Sequence, residues 1–297
     1  MKKVYIVAAK RTAIGSFLGT LSGVHPAEYG ANTLKVMLEE VKVDPKNLDE
    51  VIVGNILPAG LGQGIARQVA LKAGVPVEVP AYSLNMVCGS GMKSIANAYA
   101  NIKLGLHNLV VAGGVESMSN APYLIPAQSR GGFKMGDRTI TDHMIGDALT
   151  DVFNNYHMGV TAENIAAKYQ LSREEQDEFA WTSQQRAINA IDSGLFKKEI
   201  VPFVIKTRRG ETVFDTDEFP NRTTSLEKLG GLRPAFIKDG TVTAGNASGI
   251  NDGASFVLVA SEDAVKKYNL TPLAEIVAVG QGGVDPSIMG MGPVPAI

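Results

Sequence analysis

The sequence predicts an α/β fold in which a largely parallel sheet carries helices on both faces. Three observations support this. From Val4 to Gly114 short β-rich runs alternate with helical stretches. Those runs are continuously apolar rather than alternating, as strands buried on both faces are. Many of the 32 glycines also close apolar runs, among them Gly54, Gly113, Gly114, Gly280, Gly282 and Gly283, which fits strands ending at a crowded site or a tight turn.

Val4-Tyr5-Ile6-Val7 reads as the first strand. Ala27 to Val41 is periodic and helical, with Leu34, Met37 and Leu38 on one face. Val51-Ile52-Val53-Gly54 is a second strand, and Gly64 to Ala73 a helix stopped by Gly74 and Pro76. An apolar stretch from Val79 to Val87 is followed by a helix from Met92 to Leu104 and a strand from Leu109 to Gly114. From Pro122 to Gly249 charge rises and the strands become irregularly spaced, as in an inserted subdomain. Its best-marked helix opens on a capping box, Ser172 at N-cap and Glu175 at N3. That helix runs to Ser193 and stops at Gly194, with Phe179, Ala180, Ala187 and Ile191 as its apolar stripe. A small-residue loop, Thr243 to Gly253, precedes the strand Ser255 to Ala260, which returns the chain to a sheet. Leu273 to Val279 reads as a further strand, and Pro295 in the glycine-rich tail is a natural first-turn residue for a helix.

The 297 residues suffice for one large domain or two, and 45% hydrophobic with 20% charged residues is ordinary for a globular protein. A formal net charge of -2 gives no reason to expect nucleic acid. One cysteine excludes an internal disulfide framework and suits a reducing compartment. The apolar run Val4 to Ala9 is too short for a secretory signal, and no run approaches the ~20 residues that span a bilayer. The expectation is a cytoplasmic chain that engages neither membrane nor nucleic acid.

The lone Cys88 lies in Asn85-Met86-Val87-Cys88-Gly89-Ser90-Gly91, between a strand and a helix. A helix N-terminus carries unpaired N–H groups and a partial positive charge, so it favours a thiolate and can stabilise an oxyanion on a bound acyl group. Gly89 and Gly91 remove side chains beside the sulfur, which suits the approach of a bulky thioester. The alternative is a buried apolar cysteine. The histidines His25, His107, His143 and His157 form no metal-ligand pattern with Cys88. Gly60-Leu61-Gly62-Gln63-Gly64 lacks dinucleotide-binding spacing and reads as a loop. His157, in Tyr156-His157-Met158-Gly159, has three readings: a base for Cys88, a packing histidine, or a wall residue beside a ligand.

Several segments in order resemble the thiolases, and most closely the bacterial acetyl-CoA acetyltransferases. They are Arg11 to Gly15, Asn85 to Gly91, Ala112 to Ser119, Tyr156 to Asn164, Leu232 to Phe236, and Gly245 to Gly253. The resemblance covers essentially the whole chain. It implies a layered α-β-α-β-α architecture with a mixed sheet, divided into a thiolase N-terminal domain over 1–121 and 250–271, an inserted loop domain over 122–249, and the start of a C-terminal domain over 272–297. It implies reversible condensation of two acetyl-CoA to acetoacetyl-CoA and CoA through an acetyl thioester on Cys88, with coenzyme A thioesters as substrates and no tightly bound cofactor. Leu149, His157, Met158, Phe236, Ala244, Ser248 and Met289 match positions lining the tunnel for coenzyme A or the acyl group, with Ser248 and Phe236 against the pantetheine arm. In that setting His157 is a wall residue, and the His157-Met158 pair favours acetyl over long acyl groups. The segment from Pro122 to Asp142 aligns with the loop that builds a homotetramer, in which Met135 reaches toward a neighbour.

Two departures stand out. The family's arginine near the coenzyme A nucleotide aligns with Asn221, beside which Arg222 is expected to substitute. The family's Asn-Glu-Ala-Phe, Gly-His-Pro and Cys-x-Gly-Gly segments do not occur in these 297 residues. A polypeptide of these residues is therefore expected to turn over negligibly and to leave an apolar face uncovered. The rival readings are another condensing enzyme of the superfamily, such as a ketoacyl or hydroxymethylglutaryl synthase, and a non-catalytic paralogue.

Overall fold

The computed structural model describes residues 3–208 and 210–297. In chain order it runs β1 (Val4–Arg11), β2 (Gly15–Ser16), α1 (Pro26–Glu40), β3 (Glu50–Gly54), α2 (Ile65–Lys72), β4 (Ala81–Leu84), α3 (Ser90–Lys103) and β5 (Leu109–Ser117). Two short ladders follow, β6 (Tyr123–Leu124) with β7 (Thr141–Asp142), and β8 (Thr150–Asp151) with β9 (Tyr156–His157). Next come α4 (Met158–Tyr169), α5 (Arg173–Asp192), the hairpin β10 (Phe203–Thr207) and β11 (Gly210–Phe214), α6 (Leu226–Gly230), β12 (Asn251–Ser261), α7 (Glu262–Lys267) and β13 (Ala274–Glu275).

The chain divides into two compact units. The first comprises the chain to Ala121, Phe196–Glu218 and Asn251–Val279; the second comprises Pro122–Leu195, Phe219–Ile250 and Gly280–Ile297. Residues 196–218, inside the segment expected to be one insertion, thus pack with the first unit. Ile200 and Phe214 enter its core, and Arg11 ties the segment down by charge. Its guanidinium makes two hydrogen bonds to Asp217, at 2.7 and 3.0 Å, and one to Glu199, at 2.7 Å.

The first unit is built on one sheet of order β13-β1-β12-β5-β3-β4, with β2 paired to the start of β12. β3 is parallel to β4 and β5, but β12 is antiparallel to β1, β5 and β2, and β13 is antiparallel to β1. The expectation of a largely parallel sheet is corrected: the sheet is mixed, as the family resemblance implied. Alternation of strand and helix predicts parallel pairing only where a helix carries the chain over, and β12 returns from a distant segment to lie between β1 and β5. The stretch Leu273 to Val279 pairs only over Ala274–Glu275.

Both faces of this sheet are buried, which explains the unbroken apolar strands. Leu109, Val111 and Val115 of β5 join Leu34, Met37 and Leu38 of α1 and Ala66 and Val69 of α2 in one cluster. Val110 and Ala112, one residue out of phase, join Ile52, Val259 and Ala98 and Ile102 of α3 in another. α1 starts where the sequence places it, with Pro26 in its first turn and His25 Nδ1 accepting from Ala27 N.

Gly113 of β5 faces Phe256 across the ladder with β12. A Cβ there would overlap Ser255 O and press on Phe256. Gly113→Ala is expected to cost about 1–3 kcal/mol by overpacking. Gly23→Ala, with open space around its Cβ, should stay within about 0.5 kcal/mol. Urea midpoints of the two variants check the contrast.

In the second unit α5 forms with the predicted capping box, Ser172 Oγ accepting from Glu175 N and Glu175 answering Ser172 N. Its apolar stripe does not form a core face. Phe179 is 78% exposed, and Asp177 is the only buried residue of the helix among those described. Polar capping and buried polar contacts, rather than a greasy seam, hold this helix. Among the described residues, no helix is long and apolar enough to cross a membrane.

Candidate functional site

Each unit holds one group of the residues that the sequence singles out. In the first unit the group centres on Cys88. Its thiol is exposed, so the buried-cysteine reading is overturned. It sits on a tight turn between β4 and α3. Val87, immediately before it, has φ +47°. A β-branched residue in the left-handed region costs about 1–3 kcal/mol, which the surroundings must hold in place.

The surroundings are polar and specific. Asn85 Oδ1 accepts from Val87 N at 2.9 Å. Ser90, 3% exposed, accepts from Met86 N at 2.8 Å and donates to Val87 O at 2.6 Å. Gly54 at the end of β3 lets the start of α3 come close, since a Cβ there would meet Ser90 and Gly91 N. The helix begins without a side-chain cap.

One expectation about this turn needs correction. The amides of Gly89 and Ser90 donate to Met86 O at 3.1 Å and Val87 O at 3.0 Å. These two N–H groups close the turn and are already committed. Gly91 behaves as the sequence suggests: a Cβ there would meet nothing within 4 Å, so the space beside the turn is open.

In the second unit α4 is the organiser. His157 caps it, Nδ1 accepting from Gly159 N at 3.0 Å. The imidazole stacks on Phe236, centroids 4.7 Å apart and planes at 17°. Gly159 makes the stack possible, because a Cβ there would collide with the Phe236 ring. Thr150 pairs with His157 across the β8–β9 ladder, so Leu149, at the end of the π-helical turn Met144–Leu149, is the residue next to that strand. Farther along α4, Asn164 donates to Ser287 O at 2.9 Å, which ties in the turn carrying the exposed Met289.

α4 also holds the small-residue loop. Glu163, 6% exposed, accepts from Thr241 N, Thr241 Oγ1 and Val242 N at 2.8–2.9 Å. Asp177 of α5 accepts from Asn246 Nδ2 at 2.9 Å and is itself held by Arg173 Nε at 2.8 Å. Ala244 and Ser248, both exposed, therefore lie on a loop fixed from two helices. His157, Met158, Phe236, Leu149, Met289 and this loop are thus all tethered to α4. Arg222 is not. Both its terminal nitrogens pair with Asp192, at 3.0 and 2.6 Å, about 22 Å along α5 from Asp177.

The geometry removes one of the three readings of His157. With Nδ1 accepting a backbone N–H, the neutral ring carries its proton on Nε2 and has no second lone pair to take one from a thiol. Burial also lowers its pKa from the ordinary histidine value. The ring is a neutral donor, and the reading of His157 as the base is set aside. The lowered pKa has a consequence for stability. The unfolded chain takes up the proton first, so the contribution is complete above pH ~6.5 and is lost as pH falls below it. Melting temperature should drop between pH 7 and 5, and His157→Asn, which keeps a capping side chain without titrating, should flatten that drop.

Glu163, Asn246 and Ser90, which lie in segments used for the resemblance, and Asp177 of α5, which does not, are absent from the sequence-derived site. For Glu163 the available signal was a carboxylate inside an otherwise apolar and small-residue motif; the other three carry no such mark.

The family described as "Thiolase, N-terminal domain" matches residues 4–263. A "Probable acetyl-CoA acyltransferase" of Staphylococcus aureus is 53% identical, over all of this chain and 76% of that protein. An "Acetyl-CoA acetyltransferase" of Pseudomonas aeruginosa is 52% identical, over all of this chain and 75% of that protein. Among solved structures, the Bacillus anthracis acetyl-CoA acetyltransferase superposes with a TM-score of 0.96 at 45% identity, covering 100% of this chain and 75% of that one. The human mitochondrial 3-ketoacyl-CoA thiolase does so with a TM-score of 0.95 at 45% identity, covering 99% and 75%.

Proposed function

The chain belongs to the thiolase family of acyltransferases, and on that premise we propose that it moves an acetyl group through a thioester on Cys88. The Cys88 sulfur attacks the carbonyl carbon of acetyl-CoA, the carbon–sulfur bond to CoA breaks, and CoA leaves as the thiolate. A second acetyl-CoA then loses an α-proton, which balances the one the released CoA thiolate takes up, and its enolate carbon attacks the acetyl-cysteine, giving acetoacetyl-CoA and releasing Cys88 as the thiolate. Run backward, the same steps cleave acetoacetyl-CoA with CoA.

The observation that carries this reading is the exposed thiol on a turn held by Asn85 and Ser90 at the head of α3. A nucleophile must meet a bulky thioester, and an exposed sulfur next to open space does so. We assign His157, Met158, Leu149, Phe236, Ala244, Ser248 and Met289 to contacts with the pantetheine arm or the acyl group. The His157–Phe236 stack gives a flat apolar wall with one N–H donor, which suits a short acyl thioester better than a long chain. Arg222 would have to leave Asp192 to reach a nucleotide phosphate. In the assembly we propose, a homotetramer, Met135 is available to a neighbour, being 99% exposed.

These 297 residues hold one cysteine, while the resemblance gives the substrate proton in condensation to a second one, so this polypeptide should exchange acetyl groups more readily than it condenses them. Exchange of radiolabelled CoA into acetyl-CoA tests the first half-reaction alone. Label should enter acetyl-CoA without acetoacetyl-CoA being formed. Exchange that requires a second acyl acceptor would contradict a covalent intermediate.

A further inference from the structure

We propose that Glu116 is a positioning residue for the nucleophile: its carboxylate clamps the turn after β3 and, through that turn, holds Cys88 in place. This rests on the assignment of Cys88 as the nucleophile.

Glu116 lies near the end of β5, in a strand that is otherwise small and apolar. Oε1 accepts from Asn55 Nδ2 at 3.0 Å and from Leu57 N at 3.1 Å, and Oε2 accepts from Ile56 N at 2.8 Å. Three donors from three consecutive residues therefore converge on one carboxylate. Asn55, 3% exposed, is fixed a second time by donating to Val115 O at 3.0 Å. Charge-assisted bonds of this kind are stronger and shorter than neutral ones.

The clamped turn is the wall against which the nucleophile loop is built. Asn55 N donates to Leu84 O at 3.0 Å, holding the end of β4. Ile56 O accepts from Asn85 Nδ2 at 3.4 Å. The other side of the same amide, Asn85 Oδ1, accepts from Val87 N at 2.9 Å. Asn85 is thus oriented by the clamped turn and in turn holds Val87 at φ +47°, one bond before Cys88. A conformation that a β-branched residue avoids persists only when its surroundings over-determine it. The chain Glu116, Ile56, Asn85, Val87 supplies that constraint, with Ser90 closing the other side.

Glu116→Gln is the test, because it keeps size and leaves a single acceptor oxygen for three donors. In the 297-residue chain, the rate of Cys88 alkylation by iodoacetamide should fall about tenfold as Val87 relaxes toward an extended conformation. A purely structural role would lower the unfolding midpoint without changing that rate. The second variant separates the two. Glycine adopts positive φ without penalty, so adding Val87→Gly to Glu116→Gln should recover most of the alkylation rate while leaving the unfolding midpoint low. Wild-type alkylation in Glu116→Gln, or a double variant no faster than Glu116→Gln, would overturn the inference. Failure of the underlying assignment shows elsewhere, as an unmodified wild-type chain that exchanges no CoA.

Discussion

Cys88→Ala should abolish exchange of CoA into acetyl-CoA while leaving the fold intact. Removing the nucleophile of a covalent mechanism costs a rate factor on the order of a million, which would put exchange below detection. The side chain is exposed, and Ser90, Asn85 and the Gly89 and Ser90 amides hold the turn without it. The unfolding midpoint should therefore move by less than about 0.5 kcal/mol. Exchange assays and urea melts on the same preparation check both halves. Loss of exchange together with loss of stability would show that the thiol is structural. Retained exchange would show that the acetyl group travels by another route.

Glu163→Ala should have the largest effect on stability. Its carboxylate is 6% exposed and gathers Thr241 N, Thr241 Oγ1 and Val242 N. Truncation leaves three donors without a partner and opens a void beside α4, which together cost about 3–5 kcal/mol. The loss should be local before it is global, because the loop it frees, 240–249, is then held by fewer ties: Asn246 to Asp177, Gln176 to Thr241 Oγ1, Ala235 N to Val242 O and short-range bonds. Trypsin cleavage after Lys238 should accelerate well before the urea midpoint of the whole chain is reached. Glu163→Gln retains one acceptor and should fall between the wild type and the alanine variant.

The sequence was most legible where a single local rule decides the outcome. The capping box at Ser172 and Glu175, the periodic helix from Ala27 with Leu34, Met37 and Leu38 on its buried face, and the two-faced strands around Val110 and Val111 all formed as read. Pairing direction was not legible, because the partner of β5 is set by β12, whose arrival depends on the whole intervening chain. The stripe on α5 failed for a related reason. Phe179 has helical spacing, but nothing in the periodicity says whether a neighbour comes to cover it.

The site shows the same division. Cys88 and its strand-to-helix context were visible in the sequence, since the chemistry of a thiol beside glycines is local. His157 has three readings from its own residues, which the resemblance narrows to a wall residue, and Nδ1 accepting from Gly159 N removes the base reading. Glu116 and Glu163 lie inside matched segments, but their roles were not legible, because each acts through donors remote in sequence, at residues 55–57 and 241–242. Arg222 reads as the stand-in for the family's nucleotide-contacting arginine at Asn221, yet its guanidinium pairs with Asp192, thirty residues away.

Peptide mapping by mass spectrometry of the wild-type chain, after incubation with acetyl-CoA and acid quenching, addresses the acyl-enzyme most directly. One hydroxylamine-labile acetyl group should be found, on the peptide containing Cys88, and it should disappear on adding free CoA. A folded chain with no acetyl group on Cys88, or one whose acetyl group sits elsewhere and resists CoA, would contradict the assignment of Cys88 as the acyl carrier.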